Sequence, residues 1–522
     1  MPNRLERRLA FAPCWILVLW SGLAAAAPAA EPVRYVVTPL LEEHAWSVEA
    51  TFPHPAAGDV DFWLPRWTAG AYHLAEYGRF VEKLAATGPD GAALQVERPT
   101  PCHFVIKAGA AGAVTLAYDA RACTPRDLND GMLLDVEGSR LTPDYGYLSP
   151  NSLLGFVPAL QDAPCEVELE LPEGWKAATA LEETGKGTFA APSWWRLEDS
   201  PIFFSPTQLT LPFDVDGVPH RVTVFGEDEA HAKAHADQCR KIVEAGRDYM
   251  QGLPYRGYHF LLAFVPESTG GAAGLEHSES TLILMSPLIA ESEEFGHLVA
   301  HEYFHLWCAE RIHVAALERP DYTAPIRTGT IWVNEGLTEY FCRLLLVRAG
   351  LATRKQFFDS LWSEGASAAG MAGVAGGLSW TEVNRATADW DDMSDLVAFS
   401  IKNYQGACQT ILALDLEMRR ASNGARGVAD LLRFLFRAYA QHHRGFGEDE
   451  VPAIVDGIAQ ADLSAFFADY VDGPKLPELK ERLKVIGYTT RGALKKIVPL
   501  EQPTAEQQRM LDRFFELPEA AK

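Results

Sequence analysis

The stretch Phe295-Gly-His-Leu-Val-Ala-His-Glu-Tyr-Phe-His-Leu-Trp307 decides how this chain is read. Its apolar residues Phe295, Leu298, Val299, Phe304, Leu306 and Trp307 recur at helical spacing and predict a buried helix over about residues 292–309. Within it stands His301-Glu302-Tyr303-Phe304-His305, the pattern HExxH. On a helix, His301 and His305 lie one turn apart on one face, so both imidazoles can converge on a single ion. Glu302 sits about 100° around the axis from His301, beside that ion and free to polarise its water. Two histidines and a glutamate buried in an apolar helix need a reason to be there. Metal binding supplies one. The motif is short, however, and its surroundings decide.

A contrast is His231-Ala-Lys-Ala-His235, also a pair at i and i+4. No glutamate follows its first histidine and charges surround it, so it reads as a solvated helix face.

A catalytic zinc takes three protein ligands and keeps one position open. The third is sought in Trp332-Val-Asn-Glu-Gly-Leu-Thr-Glu-Tyr340, on a second predicted helix over about residues 330–349. Glu335 is the candidate, and Gly336 after it allows two backbones to approach closely. Glu339, one turn on, is on the same face and placed to accept a hydrogen bond from a ligand histidine. One zinc per chain is expected from these ligand types, though cobalt or manganese could occupy them in vitro.

Outward from this centre the pattern changes character. Residues 31–215 run as short alternating or β-branched segments, such as 47–52, 60–64, 103–107, 114–118 and 166–171, separated by Gly, Pro and Asp. They predict an antiparallel β domain. Residues 216–350 mix strands near 221–225, 258–265 and 281–286 with a helix near 230–249 and the two helices above. Residues 351–490 are helical, including 406–420, 427–442 and 463–471, and 491–522 read as a short helical tail. The predicted architecture is therefore multidomain: a β domain, an α+β catalytic domain and a helical domain. No internal repeat is present.

Several blocks together resemble one family. Gly270-Gly-Ala-Ala-Gly-Leu-Glu-His-Ser278 resembles the GGLEH-type stretch of the M61 glycyl aminopeptidases, which are gluzincin zinc peptidases. His301–Trp307, followed by Arg311-Ile312, resembles that family's HExFHxW…RI block, and Asn334–Tyr340 its EGxTxY block. Upstream, Leu64-Pro-Arg-Trp-Thr-Ala-Gly-Ala-Tyr72 is similar to the family's WTPGxY segment. Downstream, Ala386-Thr-Ala-Asp-Trp390 is similar to its ASxDxW segment. The resemblance spans roughly residues 33–490.

It implies a thermolysin-like catalytic domain that removes small N-terminal residues, glycine or alanine, from peptide substrates. His301, His305 and Glu335 would hold zinc, and Glu302 would act as general base and then acid. Glu276, at the GLEH position, would bind the substrate ammonium, or else be a surface residue on an edge strand that pairs with substrate backbone. In related zinc aminopeptidases a YxKG-type tyrosine stabilises the oxyanion. Tyr404-Gln-Gly-Ala407 is the nearest match, lacking the lysine and one residue closer to its glycine, and the alternative for Tyr404 is core packing. The family commonly continues into a PDZ domain, and residues 491–522 are too few for one. The competing readings are a catalytically inactive peptide-binding relative and an endopeptidase on the same scaffold.

Bulk properties set outer limits. With 522 residues, 48% of them apolar, the chain has ample core volume for several domains. A formal charge of −24 argues against nucleic-acid binding and against docking on anionic lipid. Residues 1–30 combine Arg4, Arg7 and Arg8, an apolar run from Leu9 to Leu23 and small residues from Ala24 onward. They predict a cleaved signal peptide, export to the periplasm or beyond, and no stable membrane insertion afterwards. Oligomeric state is not encoded in any motif. Cys102, Cys123 and Cys165 are candidates for a disulfide in the β domain, while Cys308, Cys342 and Cys408 read as buried small hydrophobes.

Overall fold

The computed structural model describes residues 31–54, 56–123, 136–266, 271–371, 377–386, 399–493 and 495–515. The expected leader, Gly270 and residues 387–390 of the downstream block lie outside these.

The N-terminal region is β-rich, as its alternation predicts. In Ala45–His54 the inward positions Trp46, Val48, Ala50 and Phe52 are buried. This strand pairs antiparallel with Val33–Leu40 and Gly112–Arg121 inside an eight-stranded sheet. One pair departs from the antiparallel expectation: Val33–Leu40 runs parallel to Cys165–Leu169. A parallel neighbour needs a long crossover, and well over a hundred residues separate these two strands.

A second sheet is five-stranded, ordered Leu209–Val215, Val218–Phe225, Tyr258–Phe264, Ser280–Met285, Ala272–Glu276. The three inner strands are parallel and largely apolar. Helix Glu229–Met250 makes the crossover between two of them, and Ala272–Glu276 is an antiparallel edge. Helices Glu293–Phe304 and Ile331–Arg348 pack beside this sheet, giving the α+β unit.

The first of these helices is capped by Ser292, whose side chain accepts from Glu294 N, and its opening turn carries Glu293 and Glu294 against the helix dipole. It ends at Phe304, earlier than the apolar spacing implied. The chain turns back there, with Ile312 N bonded to Trp307 O and the Arg311 guanidinium donating to Leu306 O at 2.6 Å.

Most of the helices that follow Arg348 share one continuous hydrophobic core with the α+β unit, extending from Val215 to Phe515. The C-terminal segment differs from the expected helical tail. It forms a hairpin, Tyr488–Arg491 with Lys496–Pro499, before helix Ala505–Phe515. Phe514 and Phe515 then pack on Phe357, and Phe514 also meets Tyr340. Burying those two rings ties the segment to the Glu335 helix.

Two smaller expectations fail. His235 is buried, stacked on Phe264 at 4.7 Å and tilted on Phe295 at 4.3 Å, so only His231 of that pair faces solvent. Cys102 and Cys165 are free buried thiols, and Cys123 is buried as well. Cys102 accepts from Gly78 N while Cys165 faces Ala163 O, each engaged in its own part of the core. Among the described residues no helix is long and apolar enough to cross a membrane.

Candidate metal centre

His301 and His305 project from one face of the Glu293–Phe304 helix and its last turn, and both are buried. Their Nε2 atoms lie 3.0 Å apart. Nδ1 of His305 is 2.9 Å from the Cys308 carbonyl, to which only an N–H can donate, so the Nε2 lone pair is left pointing inward. From the neighbouring helix, Glu335 Oε2 comes within 3.6 Å of His301 Nε2 and 3.4 Å of His305 Nε2. This oxygen is buried and has no hydrogen-bond partner.

Three donor atoms converging at 3.0, 3.4 and 3.6 Å have the spacing of ligands around one tetrahedral ion. At zinc–nitrogen distances near 2.0 Å that spacing is about 3.3 Å. An orphaned carboxylate oxygen facing two inward nitrogens is what a cation between them would satisfy. The residues fit zinc. Burial works against ionisation of Glu335, but the two histidines override it and hold the carboxyl at about 2.

The convergence depends on Gly336. A β-carbon there would fall 2.9 Å from Ala407 Cβ and 3.1 Å from Ile411, so the glycine lets the Glu335 helix close on helix Ala407–Ala421. Glu339, one turn on, reaches His301 Nδ1 at 3.4 Å through one oxygen and His297 Nε2 at 3.3 Å through the other. Arg343 donates to it from the next turn. His297, His301 and His305 thus form a row at i, i+4 and i+8. His297 lies outside the HExxH pattern, although its spacing places it on the same face.

Glu302 is buried on the side facing the edge strand, where its carboxylate lies over Gly274. Burial pushes its carboxyl up to about 7, opposed by His301 and His305. Glu276, at the end of that strand, is 8% exposed, so it is no surface residue. One of its oxygens clusters with Glu302 and His305, ligand atoms within 4.8 Å of one another. Gly70 of the N-terminal region, at φ +87°, packs on Glu276: a β-carbon there would meet its carboxylate at 2.9 Å.

Tyr404 lies in a widened π-helical turn, Ile401–Gly406, that leads into Ala407–Ala421. Such turns re-aim a side chain within a helix. Asn403 is held by Asn384, and Trp380 bonds the Lys402 carbonyl, which fixes the turn. The Tyr404 ring centres 5.9 Å from the His301 ring. Burial, reinforced by Glu335, Glu276 and Glu302, keeps the phenol protonated. Tyr72, from the N-terminal region, was singled out by nothing in the sequence beyond closing the Leu64–Tyr72 segment. It is buried at φ 64°, a conformation rare for an aromatic, and Glu335 and Glu276 add to burial in raising its phenol.

A buried His-His-Glu triad with a carboxylate beside it, on two helices against a mixed sheet, defines a zinc metallopeptidase. Residues 34–206 match the M61 peptidase N-terminal domain, and residues 294–405 match the M61 glycyl aminopeptidase domain. The chain belongs to the M61 glycyl aminopeptidase family. No curated protein matches it. Among solved structures, an aminopeptidase N family protein from Idiomarina loihiensis superposes with TM-score 0.78 at 24% identity, covering 88% of this chain and 79% of that one. An M1 zinc metallopeptidase from Deinococcus radiodurans gives TM-score 0.53 at 16% identity, covering 86% and 95%. A mutant of the latter bound to a Tyr-Ser-Ala substrate gives 0.51 at 16%, again covering 86% and 95%. At these identities the likeness is one of fold.

Proposed function

We propose that this chain is a zinc aminopeptidase that hydrolyses the peptide bond after a small N-terminal residue, glycine or alanine. The observation that carries the reading is the buried, unpaired carboxylate of Glu276 beside Glu302 and His305. An exopeptidase needs an anion that close to the scissile bond to hold the substrate ammonium. The family's own description points to glycine. The peptide bound to the Deinococcus radiodurans enzyme supports a peptide substrate.

Zinc held by His301, His305 and Glu335, one ion per chain, would polarise the scissile carbonyl and acidify the attacking water. Glu302 accepts the water proton at its carboxylate and passes it to the leaving amine. Tyr404, protonated and beside His301, donates its hydroxyl to the oxygen on which negative charge develops. Glu276 positions the ammonium, and strand Ala272–Glu276 offers an open edge for the substrate backbone. Glu339 orients His301. Export to the periplasm or medium is supported by the composition of residues 1–30.

The test uses glycyl-alanine dipeptide amides with free and acetylated N-termini. The free peptide should be cleaved and the acetylated one spared. Equal cleavage of both would make this an endopeptidase. Glu302→Gln, loaded with one zinc by elemental analysis, should lose turnover by about 10²- to 10⁴-fold.

A further inference from the structure

A cavity of about 270 Å³ opens beside Glu276, where the N-terminal region meets the catalytic unit. Gly70 and Tyr72 form one wall, and Glu198, Asp199, Glu276 and Glu310 contribute carboxylates to the others. Glycine would leave this space empty, and alanine would place a single methyl in it.

The carboxyl groups of the cavity have few cationic partners within the protein. Asp199 is satisfied, facing Arg196 and His277, each at 3.3 Å, and accepting from Ser278. Glu198 has only neutral donors, Asn151 at 2.8 Å and Tyr322 at 3.0 Å. Glu276 and Glu310 make no side-chain hydrogen bond or ion pair among the described residues, and Glu276 is more than nine-tenths buried. Nearby cations are engaged elsewhere. Arg311 donates to the Ser278 and Leu306 carbonyls. At the mouth, Arg319 pairs with Asp162 at 3.1 Å.

A bound metal does not suit this arrangement. Among the described residues, the only carboxylate of this cavity that joins a cluster of three donors is Glu276, and it does so with Glu302 and His305. Glu198 and Glu310 join no such group. Burial pushes the Glu198 carboxyl up to about 8 and holds Glu310 well above the ordinary carboxylate range. Both therefore lack a cation that would favour their ionised form, and the end of a long cationic side chain entering the cavity is such a partner.

We propose that this cavity receives the first side chain of the peptide and selects a basic one, so that peptides beginning with lysine or arginine form a second substrate class beside glycine and alanine. The proposal rests on the aminopeptidase reading. Glu276 takes the α-ammonium, and the side chain runs past Tyr72 toward Glu310 and Glu198. Peptides beginning with aspartate or glutamate are the poorest substrates on the same ground.

The experiment compares lysyl-alanine with norleucyl-alanine, which has a similar chain length without the charge. Binding to zinc-loaded Glu302→Gln is measured by calorimetry, and kcat/KM is measured on the unaltered enzyme. The lysyl peptide should be favoured at least tenfold in both. In Glu310→Gln, with Glu198→Gln as a second variant, the lysyl-to-norleucyl ratio should fall to within about threefold. Taking a ratio within each variant cancels any general loss of activity. Equal binding of the two peptides overturns the proposal, as does a preference that survives both substitutions. If glycyl peptides are cleaved while lysyl and norleucyl peptides are indistinguishable, the inference alone fails. If no peptide with a free N-terminus is cleaved, the proposed function falls, and the binding comparison still decides the cavity.

Discussion

The carboxylate of Glu302 lies so close over Gly274 that a β-carbon on that strand residue would fall 2.4 Å from its Oε1. Glu302, the proposed general base, is therefore positioned by the missing side chain of an edge strand as well as by its own helix. Gly274→Ala should push Glu302 aside and lower kcat by about 10²-fold, the usual cost of an ångström-scale misplacement. Zinc content should stay at one per chain. A variant with unaltered kcat would show that Glu302 works from another position.

Tyr404→Phe removes one hydroxyl near His301 and leaves the ring packing in place. If Tyr404 stabilises developing charge, kcat should fall about 10²- to 10³-fold with little change in KM. An unchanged turnover number assigns Tyr404 to packing alone.

Glu339→Gln leaves the three ligands intact but weakens the partner of His301 Nδ1. Zinc affinity, measured by competition with a chelator, should drop about 10- to 100-fold. Affinity equal to that of the unaltered protein would mean that His301 is oriented by packing.

Stability should fall on acidification below about pH 6.5. His259 donates from Nδ1 to the Thr179 carbonyl and accepts at Nε2 from Thr223, which holds it neutral. Burial, reinforced by Arg221, lowers it to about 3, and burial lowers His220 and His235 to about 4. Between pH 6.5 and 4 the unfolded chain takes up protons that these folded-state histidines refuse, so their contribution is complete above 6.5 and is lost as pH drops toward their folded values. Melting temperatures measured from pH 8 to 4 should show the decline, with a shallower slope in His259→Asn. An identical slope in that variant would assign the decline to other groups.

The cluster of His301, His305 and Glu335, the proposed metal triad, was legible in sequence because its rules are local. HExxH is a statement about one helix face, and Glu335 stands out as a charge inside the apolar run Ile331–Leu346. The helix positions followed from apolar spacing with errors mainly at their ends. His235 misled because its charged sequence neighbours face solvent while its own ring turns inward onto Phe264 and Phe295. The C-terminal hairpin was read as helix because two four-residue strands carry too little periodicity to register.

By itself the sequence determined the donor types, their order on two helices and the β-rich region ahead of them, since each depends on spacing within one segment. Tertiary structure alone decided what surrounds the donors. Gly70 against Glu276, Gly274 beneath Glu302 and Gly336 against Ala407 are contacts between segments far apart in the chain. The carboxylate-lined cavity likewise exists only where residues 68–72 and 193–199 meet residues 276–322. Whether a carboxylate is paired, buried or left facing a cavity depends on which distant atoms approach it, and no spacing rule within one segment records that distance.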